Sequence, residues 1–218
     1  MLTQFRPDRV LVQGDTAATF AAGLAAFYEG IPVGHVEAGL RSANLFSPWP
    51  EEATRRLTSI ITELHFAPTA EAAANLRAEG AIVVTGNTVV DARITIKDLL
   101  RDDERLANTM RERFSWIDPN KKLLLVTGHR RENLGERLAA ICEALLKLSA
   151  REDVQICYVV HLNPNVRNPV RKILRQSTQV KLLGPQDYLS FVYLMSRSHL
   201  RITDSGGVQE EAPKTTEN

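Results

Sequence analysis

At 218 residues the chain has room for one large or two small domains, and a hydrophobic content of 44% is enough for packed cores. Its 27 basic residues against 26 acidic ones leave a net charge of +1, which argues against a nucleic-acid or polyanion partner. The chain shows neither a long apolar run nor a charged and then apolar leader, so the expectations are no membrane span and a cytoplasmic location.

Strand-like and helix-like patterns alternate along the chain. Short apolar stretches at 10–13, 32–36, 64–67 and 82–85 read as strands. Between them lie an Ala-rich helix at 16–29, a helix opened by Pro50 with Glu51 and Glu52 in its first turn, and a helix at 69–79. A charged helical stretch, 94–114, is closed by Asp118-Pro119-Asn120 and reads as a connector between domains. A second block then alternates strands at 123–126, 155–160, 180–183 and 200–203 with helices at 134–149, 169–176 and 188–195. Such spacing predicts an α/β fold in which crossover helices link parallel strands: two Rossmann-like lobes, 1–93 and 119–218, joined by a helical connector at 94–118. Cys142 and Cys157 fall within apolar patterns, lack metal-ligand spacing, and read as reduced core residues.

Open parallel sheets bind ligands at the carboxyl ends of their strands, so the polar residues there are the candidates. Asp15 follows the first strand, where it reads as either a helix cap or an acid/base group. Glu37 ends the second strand, with an ion pair to Arg41 or Arg55 as the structural alternative. Glu51 follows the rigid Pro48-Trp49-Pro50 and fits either helix-dipole compensation or catalysis. In the second block, Gly128-His129-Arg130-Arg131 is either a phosphate-binding turn or a solvated one. His161 sits at a strand end beside Asn163-Pro164. Phe191 reads as core packing, or as a ring able to stack on a base. His65 reads as a core histidine, and His199, at the start of a strand, takes no role. The segment Asp204-Ser205-Gly206-Gly207-Val208-Gln209-Glu210-Glu211 follows the last strand. Read as strand, glycine turn and helix start, it is an anion site, with Glu211 placed to accept from ribose hydroxyls; the alternative is a tight turn with a Ser cap.

Taken together these segments resemble the non-hydrolysing UDP-N-acetylglucosamine 2-epimerases, whose fold is of the GT-B type. The stretches that carry the likeness run in family order: Arg6-Pro7-Asp8 to Gly14-Asp15-Thr16, Ile31 to Arg41, Ser47 to Glu52, Phe66-Ala67-Pro68-Thr69, Thr85 to Asp91, Gly128 to Asn133, His161 to Val166, and Thr203 to Pro213. The resemblance implies interconversion of UDP-GlcNAc and UDP-ManNAc by elimination and re-addition of UDP with inversion at carbon 2, within cell-surface polysaccharide biosynthesis. It implies no metal and no redox cofactor. It implies that Asp15, Glu37 and Glu51 are the catalytic carboxylates and that His129 is a catalytic or a diphosphate-contacting residue. Arg130, Ser205, Gly206 and Gly207 become diphosphate ligands, Glu211 a ribose ligand and Phe191 a neighbour of the uracil. His161 and Arg130 are further implied at an allosteric UDP-GlcNAc site, and the assembly is expected to be a homodimer. The family begins with a strand and a Gly-Thr-Arg-Pro-Glu turn and continues past Pro213 with a Ser-Leu-Gly-Lys-Pro segment, none of which is in this sequence. Both lobes are therefore expected to be incomplete and the chain poorly stable and weakly active. The alternatives are a GT-B glycosyltransferase and an inactive UDP-binding remnant.

Overall fold

A computed structural model describes residues 2–76, 81–128 and 133–205. The chain divides into two compact units, 1–88 and 89–218. In the first, a short helix α1 (Leu2–Phe5) precedes β1 (Val10–Gln13), α2 (Ala17–Tyr28), β2 (Val33–Val36), α3 (Glu51–Ile60), β3 (Leu64–Ala67), α4 (Ala70–Asn75) and β4 (Ala81–Val84). The strands form a parallel sheet in the order β1-β2-β3-β4. Its cores are small: Val12, Ala26, Ile31 and Val33 form one, and Ala38, Ala67, Ala72 and Leu76 another.

The second unit opens with α5 (Thr88–Asp102) and α6 (Glu104–Arg113), followed by β5 (Lys122–Gly128), α7 (Glu136–Leu148), β6 (Val154–Val160), α8 (Pro164–Leu174), β7 (Val180–Leu183), α9 (Tyr188–Arg197) and β8 (Leu200–Thr203). Its parallel sheet runs in the order β7-β6-β5-β8. The uninterrupted apolar run in β5 has a direct cause. Successive side chains point to opposite faces, and both faces are covered. Leu124 and Val126 join one core with Leu138, Cys142 and Leu145 of α7, while Leu123 and Leu125 join another with Met110, Phe114 and Val192. Both Rossmann-like sheets thus match the expected α/β class.

Two local readings change. The stretch anticipated as a connector lies in the second unit, since Met110 of α6 and Phe114 are 4% exposed within its core. Helix α8 begins five residues before Pro169, at Pro164. Asn163 caps it by accepting the Asn165 N–H at 3.0 Å, and Pro164 occupies the first turn, where a missing N–H costs nothing. Pro169 is carried inside the helix.

Candidate functional site

In the first unit the carboxyl ends of β1 and β2 and the start of α3 hold the three carboxylates. Thr16, not Asp15, is the N-cap of α2: its Oγ1 accepts the Thr19 N–H at 3.3 Å. Asp15 is therefore available for another partner. Arg55 of α3 supplies it, donating Nε at 2.9 Å and Nη2 at 2.7 Å to Asp15 Oδ2. The Arg55 ion pair considered as Glu37's alternative is thus made by Asp15.

Glu37 stands in the left-handed region at φ 66°, an unfavoured conformation for a residue with a side chain. Neighbouring backbone bonds hold it there. Gly14 N–H donates to Val36 O at 3.0 Å and Ala38 N–H to Phe66 O at 3.1 Å. Gln13 Nε2 donates to Glu37 Oε2 at 3.4 Å, and the same oxygen lies 3.7 Å from where a Cβ on Gly14 would stand. The Glu37 carboxylate is therefore beside the turn that carries Asp15. Gly39, at φ 90°, closes this segment against α4, where an added Cβ would collide with the Ala72 carbonyl. Glu51 is the first residue of α3 and lies one helical turn before Arg55. The peptide bonds before Pro48 and Pro50 are both cis.

Beneath these carboxylates lie two buried histidines. His35 and His65 are register partners on β2 and β3, at 1% and 0% exposure. The His35 Nε2–H donates to the Gly14 carbonyl at 2.8 Å, which ties β2 to the turn before Asp15. Burial lowers the His35 pKa; the bond to Gly14 opposes that, and the charges of His65 and Arg41 add to it.

In the second unit, three of the predicted substrate residues come together. His161, Phe191 and Ser205 line one open cavity of about 210 Å³ with Thr127 and Gly128, at the carboxyl ends of β5, β6 and β8. His161 Nδ1 accepts the Asn163 N–H at 3.1 Å, so in the neutral ring the proton sits on Nε2. Phe191 packs partly into the core and turns the rest of its ring to the cavity. The Ser205 N–H donates to Thr203 Oγ1 at 3.0 Å, and Thr203 Oγ1 lies 2.8 Å from Thr127 Oγ1. His129, Arg130, Gly206, Gly207 and Glu211 lie outside the described residues.

Several residues here had no role in the sequence reading. Asn133 Nδ2 donates to Asp204 Oδ2 at 3.0 Å and so joins the segment after β5 to the end of β8. Glu52 was legible only as a first-turn charge of its helix, and Arg55 only as a possible ion-pair partner of Glu37. Their i, i+3 spacing was visible, but not the contact of Arg55 with a residue 40 positions away.

The family described as UDP-N-acetylglucosamine 2-epimerase matches residues 1–216. UDP-N-acetylglucosamine 2-epimerase of Escherichia coli K12 is 51% identical over 218 residues, covering 98% of this chain and 58% of its own length. That of Salmonella typhimurium is 52% identical with the same coverages. A crystal structure of UDP-GlcNAc 2-epimerase from Neisseria meningitidis bound to UDP-GlcNAc aligns with a TM-score of 0.94 at 50% identity, covering 98% of this chain and 59% of that one. The chain thus spans a little under three fifths of the length of the relatives it matches.

Proposed function

This chain belongs to the UDP-N-acetylglucosamine 2-epimerase family, and we propose on that footing that it interconverts UDP-GlcNAc and UDP-ManNAc. The observation that carries the reading is the grouping of His161, Phe191 and Ser205 around one cavity at strand carboxyl ends, together with Asp15 and Glu37 held at strand ends of the first unit. In the reaction a carboxylate takes the proton from carbon 2. The C–H electron pair forms the double bond between carbons 1 and 2, and the bond from carbon 1 to the diphosphate oxygen breaks, releasing UDP. Re-addition of UDP to carbon 1, with proton delivery to the opposite face of carbon 2, gives the epimer.

The carbon 2 proton is barely acidic, so elimination requires stabilisation of the departing diphosphate. We assign that task to Ser205 with Gly206, Gly207, Arg130 and His129. Phe191 is assigned to the uracil and Glu211 to the ribose. Asp15, Glu37 and Glu51 are assigned to proton transfer at carbon 2, a chemistry that needs acid and base groups on both faces of one carbon. A glycosyltransferase needs no such set, and the curated relatives carry the epimerase name. Homodimer formation and regulation by a second UDP-GlcNAc at His161 and Arg130 belong to the same proposal.

The test is proton NMR of UDP-GlcNAc incubated with the purified 218-residue chain in deuterium oxide. Deuterium at carbon 2 and signals of UDP-ManNAc are expected. A folded sample that binds UDP yet leaves carbon 2 protonated would overturn the assignment of epimerase activity to this chain.

A further inference from the structure

Helix α3 carries two neighbouring carboxylates in different settings. Glu51 opens the helix, while Glu52 is fully buried. A buried carboxylate is costly unless its oxygens are matched. Those of Glu52 are: Oε1 accepts from Arg56 Nε at 2.9 Å, and Oε2 accepts from the Ser42 N–H at 3.0 Å and from Arg55 Nη1 at 3.4 Å. Burial by itself would raise the Glu52 pKa, but the hydrogen bonds from Arg56 and Ser42 and the charges of Arg56 and Arg55 outweigh it and hold the group below the usual carboxylate range.

Arg55 therefore uses its nitrogens in two directions. Nη1 faces the buried Glu52, whereas Nε and Nη2 both converge on one oxygen of Asp15. The side chain of Arg55 is 15% exposed and that of Asp15 29%. Asp15 Oδ2 is doubly held, and Oδ1 accepts no hydrogen bond among the described residues. A carboxylate fastened by one oxygen with the other uncommitted is oriented in the way a group that must meet a proton at a fixed point requires.

We propose that Arg55 is the positioning residue for Asp15, and that Glu52 serves as the buried anchor that fixes the Arg55 guanidinium. The inference rests on the reading of Asp15 as a proton-transferring carboxylate, but the clamp itself can be measured separately. Lysine at 55 would keep the charge. It would lose the planar fork that places two N–H groups on Asp15 and a third on Glu52.

The test uses the 218-residue chain and its Arg55→Lys, Glu52→Gln and Asp15→Asn variants, each checked for folding by circular dichroism. The first readout is the side-chain Nε–H signal of Arg55 in 15N-labelled protein. It should be protected from solvent exchange and should move in Asp15→Asn, and Glu52→Gln should speed its exchange roughly tenfold. An Arg55 signal indifferent to Asp15→Asn would overturn the proposal whether or not the chain turns over. The second readout is exchange at carbon 2 of UDP-GlcNAc. Arg55→Lys should lower kcat by about a hundredfold with little change in KM, the signature of a misaimed group rather than a lost binding contact. If Asp15→Asn abolishes exchange while Arg55→Lys leaves kcat unchanged, the positioning role fails and the reading of Asp15 stands. If Asp15→Asn leaves exchange intact, the reading of Asp15 fails and the positioning role falls with it, whatever the Nε–H signal shows.

Discussion

His35 and His65 stand side by side in register on β2 and β3, both buried, with the His35 Nε2–H committed to the Gly14 carbonyl. Burial disfavours the charged form of this ring and brings its pKa below the ordinary 6.5, although the bond to Gly14 acts in the opposite direction. The unfolded chain binds a proton at 6.5 that the folded chain resists. Stability must therefore decrease as pH falls through 6.5, by up to about 1.4 kcal/mol per pH unit until the folded group also titrates. Urea midpoints measured between pH 7.5 and 5.5 should fall. In His35→Gln the decline should be smaller, and a flat profile in the parent chain would contradict this account.

Replacing Glu52 tests the buried anchor through stability. Glu52→Ala removes the carboxylate that three donors share and should cost about 3 kcal/mol, toward the low end for a broken buried pair because Arg56 reaches solvent. Its acid dependence has the opposite origin to that of His35. The depressed pKa means that the stabilisation is present above the unfolded value of 4.5 and is lost as pH falls below it. Urea midpoints of the parent and of Glu52→Gln should therefore differ above pH 4.5 and approach one another as pH falls below it.

Gly39 has two independent reasons to lack a side chain. Its φ of 90° is strained for any L residue with a Cβ, and the Ala72 carbonyl occupies the space that atom would take. Gly39→Ala should cost about 3 kcal/mol, combining the left-handed penalty with overpacking. Thermal unfolding checks it. A melting temperature equal to that of the parent would mean that the segment is not held against α4 as described.

The two cysteines should be inert in the folded chain. Burial pushes the Cys142 thiol up to about 11 and that of Cys157 up to about 12, which leaves almost no thiolate near neutral pH. Iodoacetamide at pH 7 should modify neither until denaturant is added. Rapid alkylation of native protein would place them at the surface instead.

Much of this arrangement was legible in the amino-acid order. Strands such as β5 announced themselves because a strand covered on both faces is apolar at every position, as Leu123 to Val126 are. The start of α8 was not legible, since two prolines compete as helix openers and only the Asn163 cap decides for Pro164. Asp15 and Thr16 likewise compete for one cap. Their order along the chain does not say which of them bonds the Thr19 N–H.

By itself the sequence determined the alternation of parallel strands and crossover helices, the polar residues at strand ends, and the residue types at the candidate positions of each unit. These follow from local periodicity and from chemistry carried by single side chains. Tertiary structure alone decided that Arg55 chooses Asp15 rather than Glu37, that Glu52 rather than Glu51 is buried, and that His161, Phe191 and Ser205 share a cavity. Each of these depends on distances between residues remote in the chain. Such distances are set by strand register and helix packing, which no local pattern encodes.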